Sequence, residues 1–452
     1  MRTLGVADGM AILIGITIGA GIFSTPNLIA AYFSSFTVIG ALWLAAGLFV
    51  FVGGLIYAEL GTRLPNTGGE YVYITRTFGR YAGFLFGWSQ LLIIRTSPAA
   101  GLAIITANYL GYFFEMSPAV KTGVALGTIA LLGALNYRGV RWSAIFQKLS
   151  TAIKIGGLFL FVVLGLFLLD SWGGERLTTT QPPTSGQGPL AGFSAVMILI
   201  VFSYLGWDRL GYVAGEMKNP RRVVPISLVL GIALVTATYF LTNLIYHQTL
   251  GIEGVRDSLI VASDTAEVLM GAVGAAFVSV LAMISTTGSI NGTMLTSSRV
   301  YYAMAHDGLF FRWLDYVHPR FRTPSRAVLA HCLWAAVILL VRQNFEDIVG
   351  GMVFAILIFF SLTTVALFKL RREGTGGEDC YRMPLYPFLP VLYLAGILTL
   401  IGFRFIFDFW QCLQDLAFIA SGIPFAIYWC RRGTEGGRRQ ETGGRKREAP
   451  LS

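Results

Sequence analysis

Long apolar runs separated by short polar stretches set the rhythm of the chain. They lie near 9–32, 36–61, 81–112, 120–138, 143–169, 190–214, 225–248, 270–304, 325–342, 346–369, 386–406 and 409–430. Crossing a bilayer takes about 20 mostly apolar residues in a helix, and each run reaches or approaches that length. Residues 155–169 and 352–367 hold no charged side chain at all. The pattern predicts an all-α integral membrane protein with twelve transmembrane helices. Barrel strands would instead alternate in polarity over segments of about 10 residues. The first run is too long for a cleaved leader and lacks an A-x-A-like exit, so it reads as a true span.

The polar stretches set the organisation. Residues 62–80 are too polar to span and too long for a tight turn, which suits an interfacial segment on the cytoplasmic side. Residues 170–189 are rich in Gly, Pro and Thr, without helical period. Residues 249–269 read as an acidic, partly amphipathic outer loop. One transmembrane domain is expected over 1–430, with a basic, disordered cytoplasmic tail at 431–452 whose charged, Gly-rich composition cannot bury a core.

Composition narrows the class further. Of 452 residues 55% are apolar and 13% charged, against about 25% charged in soluble domains. The net charge of +10 does not point to nucleic acid, because the cations gather in alternate loops. Arg63, Arg76 and Arg80 form one group; Arg138, Arg141 and Lys148 another; Lys218, Arg221 and Arg222 a third. Arg312, Arg320, Arg322 and Arg326, then Lys369, Arg371 and Arg372, complete the series. The intervening loops are neutral or acidic, as with Glu253, Asp257, Asp264 and Glu267. This positive-inside alternation leads to the expectation that both termini lie in the cytoplasm. Cys332, Cys380, Cys412 and Cys430 show no C-x-x-C, and the four histidines no metal-ligand spacing. No metal or cofactor is expected.

Two glycine-weakened points stand out within the spans: Gly19-Ala20-Gly21-Ile22-Phe23 in the first, and Phe202-Ser203-Tyr204-Leu205-Gly206-Trp207-Asp208 in the sixth. Glycine inside a helix costs about 1 kcal/mol relative to alanine, and unwinding in hydrocarbon costs several kcal/mol more per unsatisfied backbone group. Accepting this twice suggests bare peptide groups used to hold a ligand. A new helix N-terminus offers N–H groups and positive polarity, a new C-terminus carbonyls and negative polarity. Together they match an α-amino acid. Helix packing through Gly15 and Gly19 is the plainer reading of the first glycines. Breaks in spans one and six imply two five-span halves, near 8–169 and 190–370, in opposite orientation, with helices 11 and 12 at 386–430 trailing.

These residues carry a resemblance. Gly19-Ala20-Gly21-Ile22-Phe23 followed by Thr25-Pro26 resembles the G-S-G-I-F signature of the amino acid–polyamine–organocation superfamily. The Phe202–Asp208 stretch, then Glu216-Met217-Lys218-Asn219-Pro220-Arg221, is similar to its sixth helix and beyond. Ser285-Thr286-Thr287-Gly288-Ser289-Ile290-Asn291-Gly292, with Thr296-Ser297-Ser298-Arg299, and Leu91-Leu92-Ile93-Ile94-Arg95, resemble the L-type amino acid transporters in particular. The resemblance covers residues 5 to about 370. It implies the five-plus-five inverted-repeat fold with discontinuous helices 1 and 6.

By that resemblance the substrate carboxylate meets N–H groups around Ala20, Gly21 and Ile22. The ammonium meets carbonyls near Thr17, Ile18, Phe202, Ser203 and Leu205, with Gly19 and Gly206 also at the substrate, and Phe202 is the aromatic gate. Lys154 is costly in a span, about 2.5–3.5 kcal/mol on insertion scales, although snorkelling from the cytoplasmic end is a plainer account. It matches the fifth-helix lysine of sodium-independent members, with expected partners at Gly15–Gly19 and Ser285. Ala20 departs from the usual serine, and Leu205 suggests small or medium neutral substrates. Asp208 replaces a frequent asparagine, with Arg95 as a candidate partner. Animal L-type members join a glycoprotein through a cysteine between spans three and four. Residues 112–121 hold none, so no disulfide-linked heavy chain is expected, and the stand-alone pattern suits a multi-pass protein of the prokaryotic cell inner (plasma) membrane. The implied function is sodium-independent exchange of neutral L-amino acids, with membrane lipid as the other partner. A proton-coupled symporter, a cationic amino acid or polyamine carrier, a sensor and a membrane enzyme remain the alternatives.

Overall fold

The computed structural model describes residues 4–19, 21–64, 69–169, 173–210, 217–377 and 380–429. The first span is α1 (Val6–Thr17), α2 (Gly21–Ser24) and α3 (Pro26–Ala30), followed by α4 (Phe36–Arg63) and a short α5 (Glu70–Phe78). The third span runs from α6 (Arg80–Ser89) through a π-helical stretch, Gln90–Ile94, into α7 (Thr96–Leu110). Then come α8 (Pro118–Arg138), α9 (Val140–Leu168), α10 (Pro189–Tyr204), α11 (Pro220–Asp257) and α12 (Val261–His306). The last are α13 (Ser325–Arg342), α14 (Phe345–Arg372), α15 (Phe388–Phe407) and α16 (Phe409–Ala420). Among the described residues, twelve helical spans are long and apolar enough to cross a membrane, as the run pattern predicts. The tail at 431–452 lies outside the described residues.

Length follows from composition. At about 1.5 Å per residue, 28-residue α4 exceeds a hydrocarbon core of about 30 Å, so its last turn reaches the polar boundary. There it carries Glu59, fully buried. Glu59 accepts Arg371 Nε at 2.6 Å and Nη2 at 2.5 Å, Arg63 Nε at 2.8 Å and the Met383 amide at 2.9 Å. Arg63 Nη1 continues to the Thr375 carbonyl at 2.6 Å, and the Arg371 guanidinium stacks 3.7 Å over Tyr386. A buried carboxylate stays charged only with this density of donors. It joins the end of α4 to the end of α14 and the segment after it.

The loops hold more helix than their sequence reading described. Within 62–80, α5 buries Glu70, Tyr73, Ile74 and Thr77, with Glu70 accepting the Tyr57 hydroxyl. It is a packed helix. Residues 249–269 are mostly helical, because α11 and α12 run on through backbone bends at Gly251 (φ 73°) and Gly271 (φ 69°). The 173–188 stretch docks through Arg176 Nη1 to the Thr249 carbonyl at 3.0 Å and Thr179 N–H to Ser34 O at 3.0 Å. At the other end Leu4 pairs with Met217, and the Lys218 amide donates to Leu4 O at 3.0 Å. Ser227 Oγ adds a bond to Val6 O at 3.2 Å. The start of the first span is thus tied to the start of the seventh.

Candidate functional site

Both expected breaks are present. Helix α1 stops at Thr17, and Ile18 leaves helical geometry (φ −68°, ψ 86°) while its amide still closes on Ile14 O at 2.8 Å. The chain turns helical again at Gly21 and, bridged by Thr25, continues to Ala30: the Thr25 amide bonds Gly21 O and the Ile29 amide bonds Thr25 O, both at 3.0 Å. Ala20 lies outside the described residues. In the sixth span α10 stops at Tyr204, Leu205 takes an extended ψ of 139°, and Gly206 sits at φ 128°. An L side chain rarely adopts that φ, which explains the glycine there.

The two breaks face each other in direct contact. A Cβ on Gly21 would lie 2.5 Å from Ser203 Cα, and one on Gly206 would lie 2.9 Å from the Thr17 amide nitrogen. A Cβ on Gly19 would stand 3.3 Å from Ser289 Oγ on α12, which forms a third wall. Side chains bridge the same seam: Thr25 Oγ1 sits 2.9 Å from Gly21 O and 3.1 Å from Ser203 Oγ. Tyr239, on α11, points its hydroxyl at Thr17 O (2.7 Å) and Ser203 O (3.0 Å) together. Tyr109 Oη donates to Phe23 O at 3.0 Å. The Thr17, Gly21, Phe23 and Ser203 carbonyls along the seam thus each accept a protein hydroxyl, as hydrocarbon requires of backbone groups.

This occupancy refines the expected ammonium site. The Thr17 and Ser203 carbonyls each face Tyr239 Oη, and Phe202 O accepts the Leu205 amide at 3.0 Å. A carbonyl oxygen has two lone pairs, so each keeps one acceptor direction. Tyr239 has no signal in its local sequence, being one tyrosine among 19. Phe202 is 9% exposed, with its ring 5.6 Å from and nearly perpendicular to that of Phe345 at the start of α14. Phe345 in turn presses on α7, where a Cβ at Gly101 would meet its ring at 3.1 Å.

Lys154 is 1% exposed on α9. One turn before it, Thr151 fits over Gly15 of α1 and Ser150 over Gly288 of α12; one turn after it, Gly157 receives Leu281. The lysine therefore stands where α9 meets the first and eighth spans. Its expected bond to Ser285 does not form: Ser285 Oγ is buried with no hydrogen-bond partner among the described residues. The Arg95–Asp208 pairing does not form as a contact either. Arg95 Nε donates to Gln90 Oε1 at 2.7 Å, held by the π-helical turn. The buried Asp208 carboxylate has Arg209 Nε at 3.2 Å. Chain direction explains this, since the short turn after Gly206 brings the next residue's side chain back over the carboxylate.

Sequence reasoning also missed a polar knot. Asn291 Oδ1 accepts Asn136 Nδ2 and Ser143 Oγ, both at 2.9 Å, and its Nδ2 donates to Gln147 Oε1 at 2.9 Å. It locks α8, α9 and α12 together behind the Lys154 seam. The asparagine lies in the eighth-helix motif, but its partners could not be read from spacing.

A helical membrane protein whose first and sixth spans break face to face is built as a broken-helix secondary transporter. The chain belongs to the amino acid permease family, whose model matches residues 4–423. It is similar to the serine/threonine exchanger SteT of Bacillus subtilis, 30% identical over 426 residues that cover 94% of this chain and 95% of the relative. The mouse Asc-type amino acid transporter 1 is 30% identical over 439 residues, 95% of this chain and 82% of the relative. The human b(0,+)-type amino acid transporter 1 is 28% identical over 433 residues, 94% and 87% respectively.

Proposed function

We propose that the protein is a sodium-independent exchanger of neutral L-amino acids that works by alternating access across a cell inner membrane. The observation that carries this reading is the contact of the two breaks at Gly21–Ser203 and Gly206–Thr17. The amides of Gly21 and Ile22 open the outer fragment of the first span and would receive the carboxylate, together with those of Gly19 and Ala20. The spare lone pairs at Thr17, Phe202 and Ser203, with the carbonyls of Ile18, Leu205 and Gly206, would receive the ammonium. No charged side chain is required, which favours neutral substrates, and partly buried Leu205 favours small or medium ones. Relatives described as exchangers and amino acid transporters support the class.

Lys154 supports sodium independence, since an ammonium lodged between the first, fifth and eighth spans supplies a fixed positive charge there. Residues 112–121 carry no cysteine, consistent with action without a disulfide-linked partner. The alternating positive loops favour cytoplasmic termini. The test is uptake of labelled L-serine and L-alanine into proteoliposomes, empty or preloaded, with sodium and pH varied. Exchange predicts uptake only into preloaded vesicles and no response to sodium. Equal uptake into empty vesicles would remove exchange, and strict sodium dependence would remove the role given to Lys154.

A further inference from the structure

We propose that the face where the first span and α15 end carries a second amino acid site, an antechamber that takes a free zwitterion before it passes the Phe202–Phe345 pair. The inference rests on the transport reading above and adds a site to it. A cavity of about 250 Å³ opens there between the end of the first span, α10, α14, α15 and the start of α16. Small-molecule sites run from about 300 Å³ upward for drug-sized ligands, so this space suits a smaller one.

Its lining chemistry has two signs. Glu346, Asp347 and Asp408 supply carboxylates, and Arg404 supplies a guanidinium. Arg404 is only 6% exposed. Its Nη2 lies 3.4 Å from Asp415 Oδ2 and its Nη1 3.8 Å from Asp408 Oδ2. The buried Nε–H has no acceptor among the described residues. A buried donor without an acceptor is costly, and a ligand carboxylate would complete it. Glu346 accepts one bond from the Tyr32 hydroxyl at 2.7 Å, and an ionised carboxylate has about four lone-pair sites. Its remaining capacity, with Asp408, fits an ammonium. A metal ion is the poorer fit, because no three acids, cysteines or histidines converge on one point among the described residues. Acids standing around a guanidinium suit a ligand that carries both charges a few ångströms apart.

Position ties the cavity to the central site. Glu346 follows Phe345, whose ring meets the gate Phe202 at 5.6 Å. Leu199 lines the cavity, and its carbonyl accepts Ser203 Oγ at 3.0 Å. The cavity thus lies one helical turn along α10 from the break, lined by Ile198 and Glu346, which stand close in sequence to the two rings. A zwitterion held there would be poised to enter when the rings part.

Purified full-length protein would be assayed for bound labelled L-serine by equilibrium dialysis, and for counterflow in right-side-out proteoliposomes. Two variants are compared: Asp408→Asn, which removes one charge, and Ala195→Leu, which narrows the cavity without altering charge. Wild type is expected to bind two molecules per chain and each variant one. The external KM is expected to rise about fivefold or more, with the internal KM unchanged. If Asp408→Asn does not fold, Ala195→Leu decides alone. One molecule per wild-type chain, or external KM values equal to wild type in the folded variants, would overturn the antechamber. Wild-type vesicles without any counterflow would instead overturn the transport reading, and the binding stoichiometry would then decide the antechamber by itself.

Discussion

Gly21 and Ser203 meet with no room for a methyl group between them: a Cβ on the glycine would stand 2.5 Å from the serine Cα. The obstacle is backbone, so neither partner can turn aside. Gly21→Ala is expected to force the two breaks apart, at about 1–3 kcal/mol of overpacking. Counterflow of L-serine should fall by more than about tenfold, while the protein still purifies as a monodisperse species. Wild-type exchange by Gly21→Ala would mean that the contact is not needed for transport.

Gly206→Ala should be the more damaging of the glycine changes. It meets both the Thr17 amide and a φ of 128°, and strained backbone adds about 1–3 kcal/mol. Thermal unfolding of the two variants side by side tests the order.

Tyr239→Phe keeps the ring and removes the one hydroxyl that reaches both Thr17 O and Ser203 O. Leaving buried acceptors short of a donor costs about 1–3 kcal/mol. The expected signature is a higher KM with little change in the amount of folded protein. A lower melting temperature at unchanged KM would mark Tyr239 as structural only.

Lys154→Met preserves an unbranched apolar stem at the junction of the fifth, first and eighth spans but deletes the charge. Exchange should drop by more than about tenfold, with no rescue by sodium. Full activity would mean that only the stem matters, as snorkelling would have it.

Glu59→Gln is a test of scaffold. The variant leaves Arg371 and Arg63 facing a neutral amide in a buried place, and breaking such a cluster from one side costs about 3–5 kcal/mol. A clear fall in melting temperature is expected. Equal stability would mean that water takes over the role of the carboxylate.

What the chain disclosed by itself is what depends on local composition. Apolar run lengths gave the spans, because the bilayer asks only for length and hydrophobicity. The breaks were legible at Gly19–Gly21 and Gly206, since glycine weakens a helix wherever it stands. The motifs around Ser285–Gly292 and Leu91–Arg95 pointed to the family that the matches bear out. Tyr239, the Asn291 knot and the Glu59 cluster were not legible, because their meaning lies in partners far along the chain. Asn136 and Asn291 are 155 positions apart. Arg95 and Asp208 make no direct contact for a related reason: depth in a span says nothing of azimuth, and Arg95 is turned onto Gln90 by a π-helical stretch that no residue type announces.

The short bridge between Leu4 and Met217, with the Lys218 amide on Leu4 O, has a mechanical corollary. Leu4, just before the first span, is yoked to Met217 and Lys218, just before the seventh, so a swing of one must drag the other. A probe attached near either end of that yoke would register the same displacement, and severing it should let the two move out of step.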